Sequence, residues 1–208
     1  GGVHSEFTIQ RESKDSFYMV SAGAYHRLDH DWLKKHMPSD GSVQFTDLTN
    51  SMGVLVVAGP KSRDLLQPIT GSNLSNETFP WLTGQETYVG HAPVKLMRVN
   101  FVGELGWELH HPMEMQNQIW DAIMEAGAEF DIKPFGIRAM TLMAIEKSYR
   151  LIGRELSIEY SAYESGLDRF VHPNKGQFIG RDRLVERHGA GDAWRYVTLE
   201  VHDVKDVD

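Results

Sequence analysis

The chain of 208 residues contains no cysteine. That excludes a disulfide framework, a thiolate nucleophile and a cysteine-ligated metal, and it fits a reducing compartment. No apolar run approaches the ~20 residues that a membrane-spanning helix requires, and no signal peptide opens the sequence. The expected location is cytoplasmic, or the mitochondrial matrix in a eukaryote, with no membrane partner. Cationic charge is scarce as well: the formal net charge is −8, the pI is near 5.7, and no basic stripe stands out, so no nucleic-acid partner is expected. Neither a G-x-G-x-x-G nor a Walker sequence is present, and no G-x-S-x-G elbow occurs, so nucleotide folds and serine-hydrolase chemistry have no local support.

What is present is enough apolar residue, 41%, for a real core. Strand-like and helix-like segments alternate without regular βαβ spacing. Strands are expected at residues 6–9, 17–21, 43–46, 54–57 (buried) and 94–101, and at 196–201 ahead of the acidic tail Asp203 to Asp208. Helical periodicity marks a segment with Tyr25, Leu28, Trp32 and Leu33 that ends before Pro38, and a short helix with Leu65 and Leu66. A third helix runs from about Pro112 to Ala126 with Met115, Ile119, Trp120 and Ile123 inward and Gly127 as its cap. A fourth runs from about Pro134 to Ser148 with Ile137, Thr141, Ala144 and Ile145. The fold class expected is α+β with mainly antiparallel sheets. A lone edge strand at each end reads as a piece of something longer.

The segment Gly103-Glu104-Leu105-Gly106-Trp107-Glu108 places an acid among apolar neighbours, next to two glycines that permit a tight turn and close approach of a flat ligand. A buried acid there needs a donor partner, and a ligand edge with adjacent N–H groups suits it, since one carboxylate accepts two parallel hydrogen bonds. On these residues alone the simpler reading is a hairpin with an exposed acid. His26 and His30, four apart beside Asp29 and Asp31, read better as a solvated pair than as metal ligands. His110 and His111 point to opposite faces of a strand, against joint ligation. Asp168 and Arg169 are spaced for a structural ion pair.

Several segments together, in this order and spacing, resemble the folate-binding aminomethyltransferase family. They are Gly103 to Glu108, Gly136 to Gly153, Glu164-Ser165-Gly166-Leu167-Asp168-Arg169-Phe170-Val171 and Phe178-Ile179-Gly180-Arg181-Asp182. Met52 to Pro60, Glu146-Lys147-Ser148-Tyr149-Arg150 and the opening Gly1-Gly2-Val3-His4-Ser5-Glu6-Phe7-Thr8 look in particular like the tetrahydrofolate-binding half of dimethylglycine and sarcosine dehydrogenases. The resemblance covers essentially the whole chain. It implies a fragment, with residues 1–195 a folate-binding domain lacking its N-terminal part and 196–208 the start of a barrel-like C-terminal domain. It implies tetrahydrofolate as cofactor, a methylated amine as substrate, and a flavin (FAD) domain upstream in the same parent chain.

By the same resemblance Glu108 matches the glutamate that binds the pterin ring, and Glu6 the catalytic aspartate, one methylene longer. That acid helps deprotonate folate near N10 while N5 attacks an iminium carbon. Thr8, Tyr88 and Trp107 are candidate folate-binding residues, and Tyr149 is a weaker candidate that reads better as core. Met140 stands where the T protein of the glycine cleavage system has a functional arginine, and Arg138 lies on a different helical face. The function implied is tetrahydrofolate-dependent one-carbon transfer. A non-catalytic folate-binding module and a folate-dependent demethylase are the alternatives.

Overall fold

A computed structural model describes residues 1–200 and 202. The chain forms two compact units, Gly1–His36 with the residues from Arg150 onward, and Met37–Tyr149. The fold is α+β with antiparallel sheets, as the alternation of patterns predicts.

In the first unit β1 (Phe7–Arg11) and β2 (Phe17–Ser21) form an antiparallel two-stranded sheet in which Thr8 faces Val20. Helix α1 (His26–His36) follows. Lys34, Lys35 and His36 in its last turn complement the negative end of the helix dipole, and His36 Nδ1 lies 2.8 Å from the Trp32 carbonyl oxygen. It ends before Pro38, as expected.

The second unit is built on a four-stranded antiparallel sheet. Its strands are β3 (Met52–Ala58), β4 (Gly84–Val89), β5 (Ala92–Met97) and β6 (Gly106–Pro112), in the order β3-β6-β5-β4. Helix α2 (Ser62–Leu66) and helix α3 (Gln116–Gly127) supply Leu65, Leu66, Ile119 and Ile123 to a core that also contains Val57, Trp107, Leu109, Leu96 and Val94 from the sheet. Because side chains alternate across a strand, the register leaves Val54, Val56, Glu108, His110, Lys95 and Met97 together on the other face. Val54 and Val56 are 45% and 40% exposed. The strand expected to be buried throughout therefore buries one face. Helix α4 (Ile137–Glu146) completes the unit, and α5 (Arg181–Gly189) belongs to the first.

Residues 43–46 form no strand; on either side, Asp40 and Asp47 carboxylates accept the Ser42 and Thr49 N–H groups at 2.9 and 3.0 Å, local turns that compete with a ladder. Residues 196–200 form no strand, and Val201 and Asp203 to Asp208 lie outside the described residues. The strand from Val94 stops at Met97, because the Asn100 side chain captures the Val102 N–H at 2.9 Å and donates to the Glu104 carbonyl. The third helix opens as a 3₁₀ turn at Met113–Met115. Gly127 is not a left-handed cap: it is helical, and an added β-carbon would sit 2.6 Å from Ile132. Asp131, with φ 57°, supplies the left-handed turn. In α4 only Ala144 is buried, and Ile137 and Ile145 are exposed.

Candidate functional site

Glu108 sits in the middle of β6, between Val56 of β3 and Met97 of β5. It is only 6% exposed, so the hairpin with an exposed acid is ruled out. Its partner is His110, two residues along and on the same face, with Nε2 3.0 Å from Oε2. The imidazole is itself buried. It donates and the carboxylate accepts, and among the described residues no side chain or N–H donates to Oε1, which can accept further N–H groups. Across β5, Lys95 stands opposite His110 and reaches Glu86 at 3.5 Å. From sequence His110 stands out only as a metal-ligand candidate. Strand parity alone places it beside Glu108.

The same parity sends Trp107 the other way. It is 0% exposed in the core, edge-on to Phe79 with ring centroids 4.9 Å apart, and the Arg98 guanidinium lies 5.7 Å from its ring centre. No ring face is open, so Trp107 is not a stacking platform. Tyr88 is exposed on the outer strand β4 opposite Pro93; it shares the face of Glu108 but lies two strands away. Tyr149 is packed at the Gly103 turn.

A cavity of about 310 Å³ opens in this unit, with walls that include Val56, Phe101, Val102, Trp120, Phe135 and Met140. Val56 belongs both to this wall and to the surroundings of Glu108, whereas Glu108 itself does not line the cavity. Phe101, the last residue of the strand expected from Val94, and Val102 are loop residues of its wall. Arg138 is exposed on α4.

In the first unit Glu6 directly precedes β1. The residue is open to solvent, yet enough protein surrounds its carboxyl that burial pushes its pKa above the ordinary value. Thr8 is half-buried. A cavity of about 320 Å³ here is lined by Gly2, His4, Phe7, Trp32 and Phe178 among others, and Glu6 is not on its wall. Asp29 is buried with neither carboxylate oxygen bonded. The His26 and His30 rings lie 6.1 Å apart, and among the described residues no cluster of His, Cys, Asp or Glu has the arrangement of a metal site. Arg169 lies over the Phe170 ring at 4.6 Å rather than pairing with Asp168.

Glu164, in the first unit, is buried and richly bonded. It takes the Ser161 N–H at 2.8 Å while its own N–H donates to Ser161 Oγ at 3.1 Å, a reciprocal capping box. The Ala193 N–H and the Arg187 guanidinium, at 3.2 and 2.6 Å, complete the set. The Ser161 N–H first, then the Ser161 hydroxyl, Arg187 and the Ala193 N–H, hold its pKa below the ordinary value. Among the described residues no helix is long and apolar enough to cross a membrane.

A family model described as the GCVT N-terminal domain matches residues 1–175. The chain is 36% identical over 208 residues to mitochondrial dimethylglycine dehydrogenase of Homo sapiens, an alignment covering 98% of this chain and 24% of that protein. It is 32% identical over 223 residues to mitochondrial sarcosine dehydrogenase of Homo sapiens, with the same two coverages, 98% and 24%. It is 29% identical over 203 residues to an aminomethyltransferase of Thermoanaerobacter sp. (strain X514), covering 98% and 55%. The chain thus spans about a quarter of the dehydrogenases it matches. Among solved structures, heterotetrameric sarcosine oxidase from Corynebacterium sp. U-96, in complex with pyrrole 2-carboxylate, aligns with a TM-score of 0.50 and 19% identity. The match covers 65% of this chain and 66% of that one, a likeness of fold.

Proposed function

The chain belongs to the family of the GCVT N-terminal domain, and on that membership we propose that it is the folate-binding part of a larger dimethylglycine or sarcosine dehydrogenase-like protein that transfers one-carbon units to tetrahydrofolate. The observation that carries this reading is the carboxylate of Glu108, buried in a sheet, bonded to one imidazole and with an oxygen left to accept. A buried acid in that state is costly unless donors complete it, and the adjacent N–H groups of a pterin edge are such donors. A reduced folate supplies the amine nitrogens that take up the one-carbon unit. The residues of this chain orient it, exclude water and accept a proton. Glu108 holds the ring. Glu6, whose pKa is raised by burial, is the proposed proton acceptor, and a raised pKa suits a general base working near neutral pH. Thr8 and Tyr88 are proposed as further folate contacts. The methylated amine, the FAD domain upstream, the further domain starting at residue 196 and a cytoplasmic or matrix location belong to the same proposal.

The test is titration calorimetry of the intact parent protein with tetrahydrofolate. Glu108→Gln turns an amide NH₂ toward a pterin donor and loses a charge-assisted pair, at a cost of about 1.5–3 kcal/mol. Glu108→Asp weakens binding less. Equal affinity for wild type and Glu108→Gln defeats the assignment. Met140 in the cavity wall, where an arginine is expected from the resemblance, and Glu6 in place of an aspartate favour a second reading, a folate-binding module without transferase activity. Binding without turnover of methylated amines distinguishes it.

A further inference from the structure

We infer that His110 is a positioning residue for the Glu108 site and sets how strongly that site discriminates among pterin edges. The inference rests on the folate reading for its ligand but not for its geometry. Glu108 and His110 are two residues apart on one strand, so their side chains rise from the same face of the sheet. The imidazole is 1% exposed and the glutamate 6%, and the Nε2 to Oε2 separation is 3.0 Å. A glutamate has three side-chain torsions, and a carboxylate free to swing would lose that freedom each time a ligand bound. His110 removes the freedom in advance. Its ring is held between the neighbouring strands, opposite Val54 on β3 and Lys95 on β5, so the N–H it donates has a fixed direction.

The direction has a chemical consequence. With Oε2 taken by the imidazole, the acceptor capacity offered outward is that of Oε1 and the remaining lone pair of Oε2, aligned in one plane. Two adjacent donors, such as ring N3–H and the 2-amino group of a pterin, meet it together. A ring that lacks the 2-amino group leaves part of a fixed, buried carboxylate unsatisfied, and a fixed acceptor cannot turn away to recover the loss. A loose glutamate could, and would discriminate less. The opposing possibility is that the pair is only a structural tie within the sheet.

The experiment has two arms on the full-length parent protein. In the first, ¹⁵N-histidine NMR without ligand reads a slowly exchanging Nε2–H that is absent from His110→Gln and shifted in Glu108→Leu. No such protected signal overturns the inference whatever the protein binds. In the second, tetrahydropterin and its 2-desamino analogue are titrated into wild type, His110→Gln and His110→Leu. A glutamine amide keeps a donor near the Nε2 position. Wild type is expected to prefer the 2-amino compound by about 10- to 100-fold. His110→Gln keeps most of that preference, and His110→Leu loses about a factor of ten of it. An unchanged preference in His110→Leu, or equal loss in both variants, leaves a structural tie and overturns the inference. A wild type that binds neither pterin defeats the folate reading instead, and the positioning by His110 is then decided by the first arm.

Discussion

The side chain of Lys147 lies across Gly103 so closely that a β-carbon on the glycine would stand 2.5 Å from both its Cβ and its Cγ. Lys147 Nζ also pairs with Glu104 Oε1 at 3.1 Å, and Gly103 has φ +72°. The turn that leads into β6 is therefore fixed by backbone conformation and packing at once. Gly103→Ala is expected to cost about 2–4 kcal/mol, the sum of a left-handed residue and an overpacked contact. Gly189→Ala, in a helix with open space around it, is expected to stabilise by about 0.4–1 kcal/mol. Denaturant midpoints of the two variants should move in opposite directions, and a neutral Gly103→Ala would contradict the packing.

Trp107 separates a core role from a ligand role. Trp107→Ala should cost about 3–5 kcal/mol of stability. Trp107→Phe, which keeps an aromatic edge near Phe79, should cost less and leave folate affinity unchanged in titration. A large loss of affinity in a stably folded Trp107→Phe would return the ring to the ligand.

The raised pKa of Glu6 gives a signed pH dependence. Its native state holds the proton more tightly than the unfolded chain does, so its contribution to stability is fully present below the ordinary carboxylate pKa of about 4.3. It is lost as pH rises through the raised value. Glu6→Gln should therefore melt above wild type near neutral pH, and the gap should close toward about pH 4. The opposite slope in paired thermal melts would show that the acid is stabilised in its charged form.

Chemistry at Glu6 is read separately. In the parent protein, Glu6→Ala should leave folate binding nearly intact, lower the yield of methylene-folate and raise free formaldehyde. Loss of a general base typically costs a factor of about 10²–10⁴. An unchanged ratio of the two products removes the catalytic role.

Glu164 carries the reverse sign. Its depressed pKa means that its contribution is present above the ordinary carboxylate value and is lost as pH falls through the lowered one. Glu164→Gln should be less stable than wild type near neutral pH, and the difference should shrink as the buffer is taken below about pH 4. A difference that grows on acidification in denaturant titrations would refute the assignment of its hydrogen bonds.

The α+β class was legible because period-two and helical patterns alternate along the chain. The apolar neighbours of Glu108 made its burial conceivable, but an exposed hairpin acid was the simpler reading, because an acid carries no local signal of burial. Other features were hidden for physical reasons. Val54 to Val57 is an unbroken aliphatic run, and such a run does not say which of its two faces meets the core. The strand β4 reads Gly-Gln-Glu-Thr-Tyr-Val, where a polar Thr87 is buried and an aromatic Tyr88 is exposed. Phe101 and Val102 have strand composition, but one asparagine side chain bends them into a loop. The pairing of His110 with Glu108 was readable from a spacing of two, as was the burial of Trp107 on the opposite face.

The first unit is assembled from both ends of the described chain, whereas the second is one unbroken run. Val3 donates its N–H to the Ser157 carbonyl oxygen at 2.9 Å, and Gly2 bridges Ser161. On a ribosome making about 5–20 residues per second, the β1–β2 hairpin is made roughly 8–30 s before these partners. During that interval the segment bearing Glu6 lacks these contacts, while the whole of the sheet bearing Glu108 is synthesised. Vectorial synthesis therefore gives the two proposed acids different histories: one set in a continuous segment, the other completed late by a long-range closure that a chain stopped before residue 150 can never make.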